Sequence, residues 1–306
     1  MLFLLLPGEA MNDKSVITGR TRIYGIIGCP VTHSLSPVMQ NAALQAAAVD
    51  AVYVPFAVEP DQLATAVSGL RALQVCGFNV TIPHKTSIMP LLDELAPSAV
   101  QAGAVNTVVN QGGRLIGHNT DGDGMIVSLA KDLECEIAGS KVVLVGAGGA
   151  ARGALAALCR AGVASVVVLN RTLDTAEDLV DLFRARYPQV ELQVSALPVQ
   201  ADLALSEIDL VVNATSLGMA GEKIEGLSLA LLPDHAKVYD MVYNPPLTPL
   251  LSDARICGLK AANGIGMLVA QGELAFKLWH GMAPDEGVMQ KALSYFCATQ
   301  QRLDSL

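Results

Sequence analysis

Apolar positions recur along the chain in two successive rhythms. In the first, short strand-like runs (Ile23-Tyr24-Gly25-Ile26-Ile27, Ala51 to Pro55 and Phe78-Asn79-Val80) alternate with helical stretches beginning near Ser36, Pro60 and Lys85. Strands that alternate with helices predict a largely parallel sheet, because parallel neighbours need a crossover between them. This rhythm ends near Thr120. The second starts at Lys141-Val142-Val143-Leu144-Val145. It continues through Ser165 to Leu169, Glu191 to Ser195, Ile208 to Val212 and Val238-Tyr239-Asp240. After Asn263 only helical periodicity remains, from Met267 to Trp279 and from Gly287 to Phe296. With no strands of their own, these last helices are expected to return to the first unit. The predicted architecture is α/β with two domains: residues 1–120 and 264–306 form one, discontinuous in sequence, and residues 121–263 the other. Two crossings between lobes would act as a hinge.

Composition narrows the chemistry. Of 306 residues, 52% are hydrophobic and 16% charged, which describes a well-packed globular protein rather than a disordered one. A net charge of -9 supplies no basic footprint for nucleic acid or an anionic membrane surface, so small molecules are the expected partners. The six cysteines (Cys29, Cys76, Cys135, Cys159, Cys257, Cys297) are scattered without a C-x-x-C pair, and the five histidines lack ligand spacing. Reduced thiols, a cytoplasmic location and no metal are expected. The apolar opening Met1 to Leu6 is too short for a signal-peptide core and reads as a disordered or mis-assigned start, with Met11 a candidate initiator. The apolar run Val142 to Cys159 is broken by four glycines and Arg152, and so predicts a buried strand and a close-packed helix, not a membrane span.

The second rhythm opens on Val145-Gly146-Ala147-Gly148-Gly149-Ala150-Ala151-Arg152, a glycine-rich turn between a strand and a helix. That context makes it a dinucleotide fingerprint, since glycines let the backbone approach a pyrophosphate that the helix N–H groups then meet. At the end of the next strand an acid would bind the ribose 2′-hydroxyl of NAD. Leu169-Asn170-Arg171-Thr172 has none. A guanidinium, an amide and a hydroxyl there suit a 2′-phosphate, which favours NADP, although a loop arginine can equally be solvated surface.

Four polar clusters fall where first-rhythm strands end or the lobes join. In Val31 to Pro37, Ser34 and Ser36 can present two hydroxyls to a carboxylate, while Ser36 before Pro37 would also serve as an N-cap. In Asn79-Val80-Thr81-Ile82-Pro83-His84-Lys85, the proline breaks the strand and Lys85 is read as starting a helix. A lysine desolvated in a cleft can accept an alcohol proton; a lone lysine on a surface does nothing of the kind. Gly103 to Thr107 brings the amide of Asn106, and His118 to Gly122 brings the carboxylate of Asp121, which could also cap the helix from Gly122 to Leu133.

Taken in order, Ser34-Leu35-Ser36, Asn79 to Lys85, Ala104 to Thr107, Asn119 to Gly122, Gly146 to Ala150, Asn170 to Thr172, Tyr243-Asn244-Pro245 and Gly264 to Gln271 resemble the shikimate dehydrogenase family, from about Arg22 to the C-terminal helices. The resemblance implies an αβα substrate domain and a Rossmann-type NADP domain. It also implies reversible reduction of 3-dehydroshikimate to shikimate in chorismate and aromatic amino-acid biosynthesis. Lys85 would be the acid/base and Asp121 its partner. Ser34, Ser36 and Tyr243 would face the substrate carboxylate, and Thr81, Asn106, Asp121 and Gln271 its ring hydroxyls. Gly146, Ala147, Gly148, Gly149, Ala150, Asn170, Arg171 and Thr172 would hold NADP, with Met241 and Gly264 near the nicotinamide. A homodimer is compatible with the resemblance. A quinate/shikimate enzyme using NAD and a non-catalytic NADP-binding regulator are the competing readings.

Overall fold

The computed structural model describes residues 17–199 and 203–304; the opening Met1 to Leu6 and Met11 lie outside the described residues. The first sheet comprises β1 (Arg22–Gly28), β2 (Ala51–Ala57), β3 (Gly77–Val80), β4 (Glu94–Leu95), β5 (Thr107–Gln111) and β6 (Arg114–His118), in spatial order β2-β1-β3-β5-β6-β4. Strands β2, β1 and β3 are parallel, connected through α1 (Ser36–Ala46) and α2 (Leu63–Ala72). One strand departs from the largely parallel pattern: β5 runs antiparallel to both β3 and β6, while β4 pairs parallel with β6. The cause is the turn Gln111-Gly112-Gly113-Arg114, whose glycines sit at φ +62° and +96° and close a two-residue hairpin. Nor does an α-helix begin at Lys85. Residues 82–88 form successive turns ahead of a single 3-10 turn at Met89–Leu91, because Pro90 would fall inside a helix begun at Lys85, where its missing N–H and its ring break the helix.

The second sheet holds β7 (Lys141–Val145), β8 (Ser165–Asn170), β9 (Glu191–Ala196), β10 (Leu210–Asn213), β11 (Lys237–Asp240) and β12 (Lys260–Asn263), ordered β12-β11-β10-β7-β8-β9 and parallel throughout. The short β12, Lys-Ala-Ala-Asn, has too little apolar character to be read as a strand in advance. Its neighbours are continuous apolar runs because both faces are covered. Val142, Leu144, Val166 and Val168 pack under α4 (Asp121–Leu133), α5 (Gly149–Arg160) and α6 (Leu173–Arg184); Val143, Val145, Val167 and Leu169 face α7 (Pro249–Ile256).

The first sheet is likewise sandwiched. Phe78, Val80, Val108 and Leu115 pack with Leu63, Val67 and Leu70 of α2 and with Ala99 of the short α3 (Pro97–Ala102). Tyr24, Ile26 and Tyr53 face Met39 and Ala43 of α1, Phe276 of α8 (Ile265–His280) and Met289 and Leu293 of α9 (Val288–Asp304). The C-terminal helices therefore return to the first sheet. Trp279 anchors them, its indole N–H donating to Val108 O at 3.0 Å, and Gly77 leaves room for that ring, since a Cβ there would stand 2.3 Å from the indole nitrogen. Helices α4 and α8 link the two sheets and lie against each other, with Gly124 so close that a Cβ would fall 2.8 Å from Gln271 N. No helix among the described residues is long and apolar enough to cross a membrane.

Candidate active site

In the second sheet the chain order reverses between β7 and β10, and open parallel sheets bind ligands at such a switch point, beyond the carboxyl ends of the strands. Gly146 follows β7 at φ +107°, a left-handed conformation, and a Cβ on it would lie 2.7 Å from Thr215 Cγ2 in the loop after β10. Gly148 next faces open space, with nothing within 4 Å of where a Cβ would point. Helix α5 then begins at Gly149 with no side-chain cap, leaving the first-turn N–H groups of Gly149, Ala150 and Ala151 for an anion. Ala147 is buried beneath the turn. These residues fit a dinucleotide pyrophosphate. At the end of β8, the Asn170 amide donates to Thr172 O at 2.8 Å, folding the loop, while the Arg171 guanidinium is exposed and has no ion-pair partner among the described residues. No acid intervenes, so the loop suits a 2′-phosphate.

Lys85 reaches this cofactor loop from the first sheet. A Cβ on Gly149 would stand 3.3 Å from Lys85 Cβ, so the absence of a side chain there lets the lysine pass. Its Nζ donates to Asp121 Oδ2 at 2.6 Å, and both side chains are nearly buried, 15% and 7% exposed. Asp121 is held in turn. Asn106 Nδ2 donates to Asp121 Oδ1 at 2.8 Å, and Asp121 N donates to Asn119 Oδ1 at 3.1 Å. The Lys85 backbone is fixed by Val105 N, which donates to Lys85 O at 2.7 Å. Asp121 is the first residue of α4, yet neither it nor the N-cap Thr120 makes a side-chain cap, so the alternative of a capping aspartate does not describe this site.

Ser36 is buried and opens α1 after the N-cap Leu35; it makes no cap bond, and its N–H donates to Ser34 Oγ at 3.3 Å. The Ser36 hydroxyl lies beside the phenol of Tyr53, which burial pushes well above the usual tyrosine range. Tyr243, beyond β11, brings its phenol against the Leu35 backbone, so the second sheet closes on the serine loop; burial raises this phenol also. Thr81 follows β3, packed against Gly28. Gln271 is buried at the α4–α8 crossing, its amide donating to Leu268 O at 2.7 Å. Met241 and Gly264 touch, a Cβ on the glycine falling 2.1 Å from Met241 O. Asp240 supports that corner: fully buried, it accepts from Val242 N (3.0 Å), Asn213 Nδ2 (2.9 Å) and Thr248 Oγ1 (2.5 Å), and burial raises its carboxyl.

Tyr53, Asn79, Thr107 and Thr120 have no role legible in the sequence, yet all are buried and linked by hydrogen bonds to Asn106, which donates to Asp121. The available signal was polar residues inside apolar strands, which a folded protein tolerates only when paired. A groove of about 890 Å³ between α4, α7, α8 and α9 contains none of the residues to which the sequence assigns a catalytic, substrate or cofactor role. Among the described residues no group of three or more His, Cys, Asp or Glu is arranged to hold a metal.

Fold and site together define a two-sheet α/β protein whose second half is a Rossmann-type dinucleotide-binding domain. Family models match three stretches: the shikimate dehydrogenase substrate binding domain over residues 26–108, shikimate / quinate 5-dehydrogenase over 128–223, and the shikimate 5'-dehydrogenase C-terminal domain over 264–293. A shikimate dehydrogenase (NADP(+)) of Geobacter metallireducens is 53% identical over 278 residues, 90% of this chain and 96% of the relative. The crystal structure of shikimate 5-dehydrogenase from Thermus thermophilus in complex with NADP(H) and shikimate is 36% identical. It superposes with a TM-score of 0.78 and covers 89% of this chain and 98% of that one. Quinate dehydrogenase from Corynebacterium glutamicum, in complex with NAD, is 30% identical with a TM-score of 0.81, covering 90% and 99%. The chain belongs to the shikimate dehydrogenase family.

Proposed function

We propose that this chain is an NADP-dependent shikimate dehydrogenase that interconverts 3-dehydroshikimate and shikimate, as a step of aromatic amino-acid biosynthesis. One observation carries the reading: the nearly buried Lys85–Asp121 pair, 2.6 Å apart, packs against Gly149 at the start of the cofactor-loop helix. A bound nicotinamide supplies or accepts the hydride. The chain's own residues supply the rest. Lys85 donates a proton to the substrate oxygen as ketone becomes alcohol and removes it in reverse. Asp121 holds the ammonium in place and accepts from the substrate hydroxyl. Ser34, Ser36 and Tyr243 bind the carboxylate, while Thr81, Asn106 and Gln271 bind ring hydroxyls. Gly146 to Ala150 cradle the pyrophosphate, Asn170, Arg171 and Thr172 the 2′-phosphate, and Met241 and Gly264 the nicotinamide end. Residues 1–120 and 264–306 act as the substrate domain and 121–263 as the cofactor domain, a cytoplasmic enzyme for which a homodimer is the assembly to test by light scattering.

Initial rates, followed by the absorbance of reduced nicotinamide, with shikimate or quinate and NADP or NAD test the assignment. Turnover confined to shikimate with NADP is expected. Comparable rates with quinate or NAD would replace it with the broader-specificity reading, and no turnover in any combination would favour a non-catalytic NADP-binding regulator.

A further inference from the structure

The hydrogen bonds around Asp121 form one chain whose donor directions are fixed by its ends. Asn79 Nδ2 faces the backbone carbonyl of Asn106 at 3.1 Å, and a carbonyl can only accept, so the amide cannot be turned around. Its Oδ1 therefore faces Tyr53, and the phenol donates to it at 2.7 Å. The same Nδ2 group donates to Thr107 Oγ1 at 3.0 Å, and Thr107 passes its own hydrogen to Asn106 Oδ1 at 3.0 Å. The Asn106 amide is fixed as well, because Thr120 N, a donor only, sits 2.8 Å from its Oδ1. Asn106 Nδ2 then donates to Asp121 Oδ1 at 2.8 Å, across the carboxylate from Lys85. Every donor points the same way, from Tyr53 to Asp121, and bonds aligned so polarise one another in a dry interior. Every member from Tyr53 to Asp121 is at most 5% exposed. Tyr53 is itself tethered to α1, the helix that Ser36 opens: Asn41 Nδ2 donates to Tyr53 O at 2.8 Å, and Asn41 Oδ1 accepts from Tyr53 N at 2.9 Å.

We propose that Tyr53 is a positioning residue for the reaction: its hydroxyl heads the aligned donor chain through Asn79, Thr107 and Asn106 that braces the Asp121 carboxylate under Lys85. This rests on the shikimate dehydrogenase reading above. Tyr53→Phe removes one oxygen and leaves the buried Asn79 Oδ1 without its donor, so the aligned chain loses its first bond. The expected result is a fall in kcat/KM for shikimate of about tenfold with KM for NADP changed less than about twofold. Thr107→Val breaks the same chain one link on. The double variant should then be no worse than the poorer single one, since both act through one path. Tyr239→Phe removes another fully buried hydroxyl, bonded to Ser128 at 2.8 Å, and should lower Tm without that split.

Folded Tyr53→Phe with wild-type constants, an equal loss on the NADP side, or additive effects in the double variant would overturn the proposal. If Tyr53→Phe does not accumulate folded, Thr107→Val alone decides by the same split. A wild-type protein inactive with shikimate and NADP sinks the underlying reading; an active wild type with an unimpaired Tyr53→Phe sinks only the role of Tyr53.

Discussion

Lys85 has two defining neighbours, the Asp121 carboxylate and the bare backbone of Gly149, and each sets a different property. The carboxylate fixes where its ammonium points; the glycine fixes how near the cofactor loop can come. None of the lysine's side-chain hydrogen bonds reaches that loop. Lys85→Ala is therefore expected to cut kcat by roughly a hundredfold or more, the usual worth of a general acid/base, with NADP affinity unchanged. Titrating the variant with NADP by calorimetry, beside steady-state rates, separates the two effects. A variant that retained most of its turnover would remove the lysine from the chemistry, and one that lost NADP binding would make it a cofactor ligand.

At the scale of elements, the site depends on how closely α4 approaches α5, because α4 begins with Asp121 and α5 with the cofactor loop. Glycines set that distance. A Cβ on Gly122 would lie 2.5 Å from Gly153 O and 2.8 Å from Ala157 Cβ, and a backbone oxygen inside a helix cannot move aside cheaply. Gly122→Ala is expected to cost about 1–3 kcal/mol of stability, the range for overpacking, measured as a shift in the urea midpoint. Activity should fall with it, since the adjoining residue is Asp121. These helices were legible in advance: α4, α5 and the strands of the second sheet other than β12 follow from their apolar period and from the glycine fingerprint. Their crossing was not, because nothing in a 3.6-residue repeat says that Gly122 meets Gly153. The β5–β6 hairpin was missed for a different reason. Its strands, Thr107–Gln111 and Arg114–His118, are five residues each and carry polar side chains at both ends, so their apolar alternation is too short to declare a strand. The buried chain from Tyr53 to Asn106 was invisible because its partners come from different strands, and only the register of the sheet aligns them.

For the molecule as a whole, the return of α8 to the first sheet leaves an imidazole in an awkward place. His280 ends that helix, packed against Tyr24 at 4.9 Å and Phe276 at 4.3 Å between ring centroids, and its Nε2 is buried with no hydrogen-bond partner among the described residues. Burial, aided by the Arg22 guanidinium, lowers its pKa from 6.5 to about 4. An unfolded chain thus binds a proton near pH 6.5 that the folded chain refuses until about pH 4. The contribution to stability is therefore complete above pH 6.5 and is lost progressively as pH falls from there to about 4. His118, lowered by burial too, acts in the same direction. The carboxyls of Asp93, Glu134, Glu207 and Glu222, all lowered by their partners, add their losses at more acidic pH, whereas Asp240, raised by burial, opposes them. Urea midpoints of the wild type and of His280→Phe, compared between pH 7 and pH 4.5, isolate this one group. The wild type should lose more stability than the variant over that interval. Parallel curves for the two proteins would mean that His280 is protonated as readily in the fold as in the open chain, and that the return of α8 carries no pH dependence of its own.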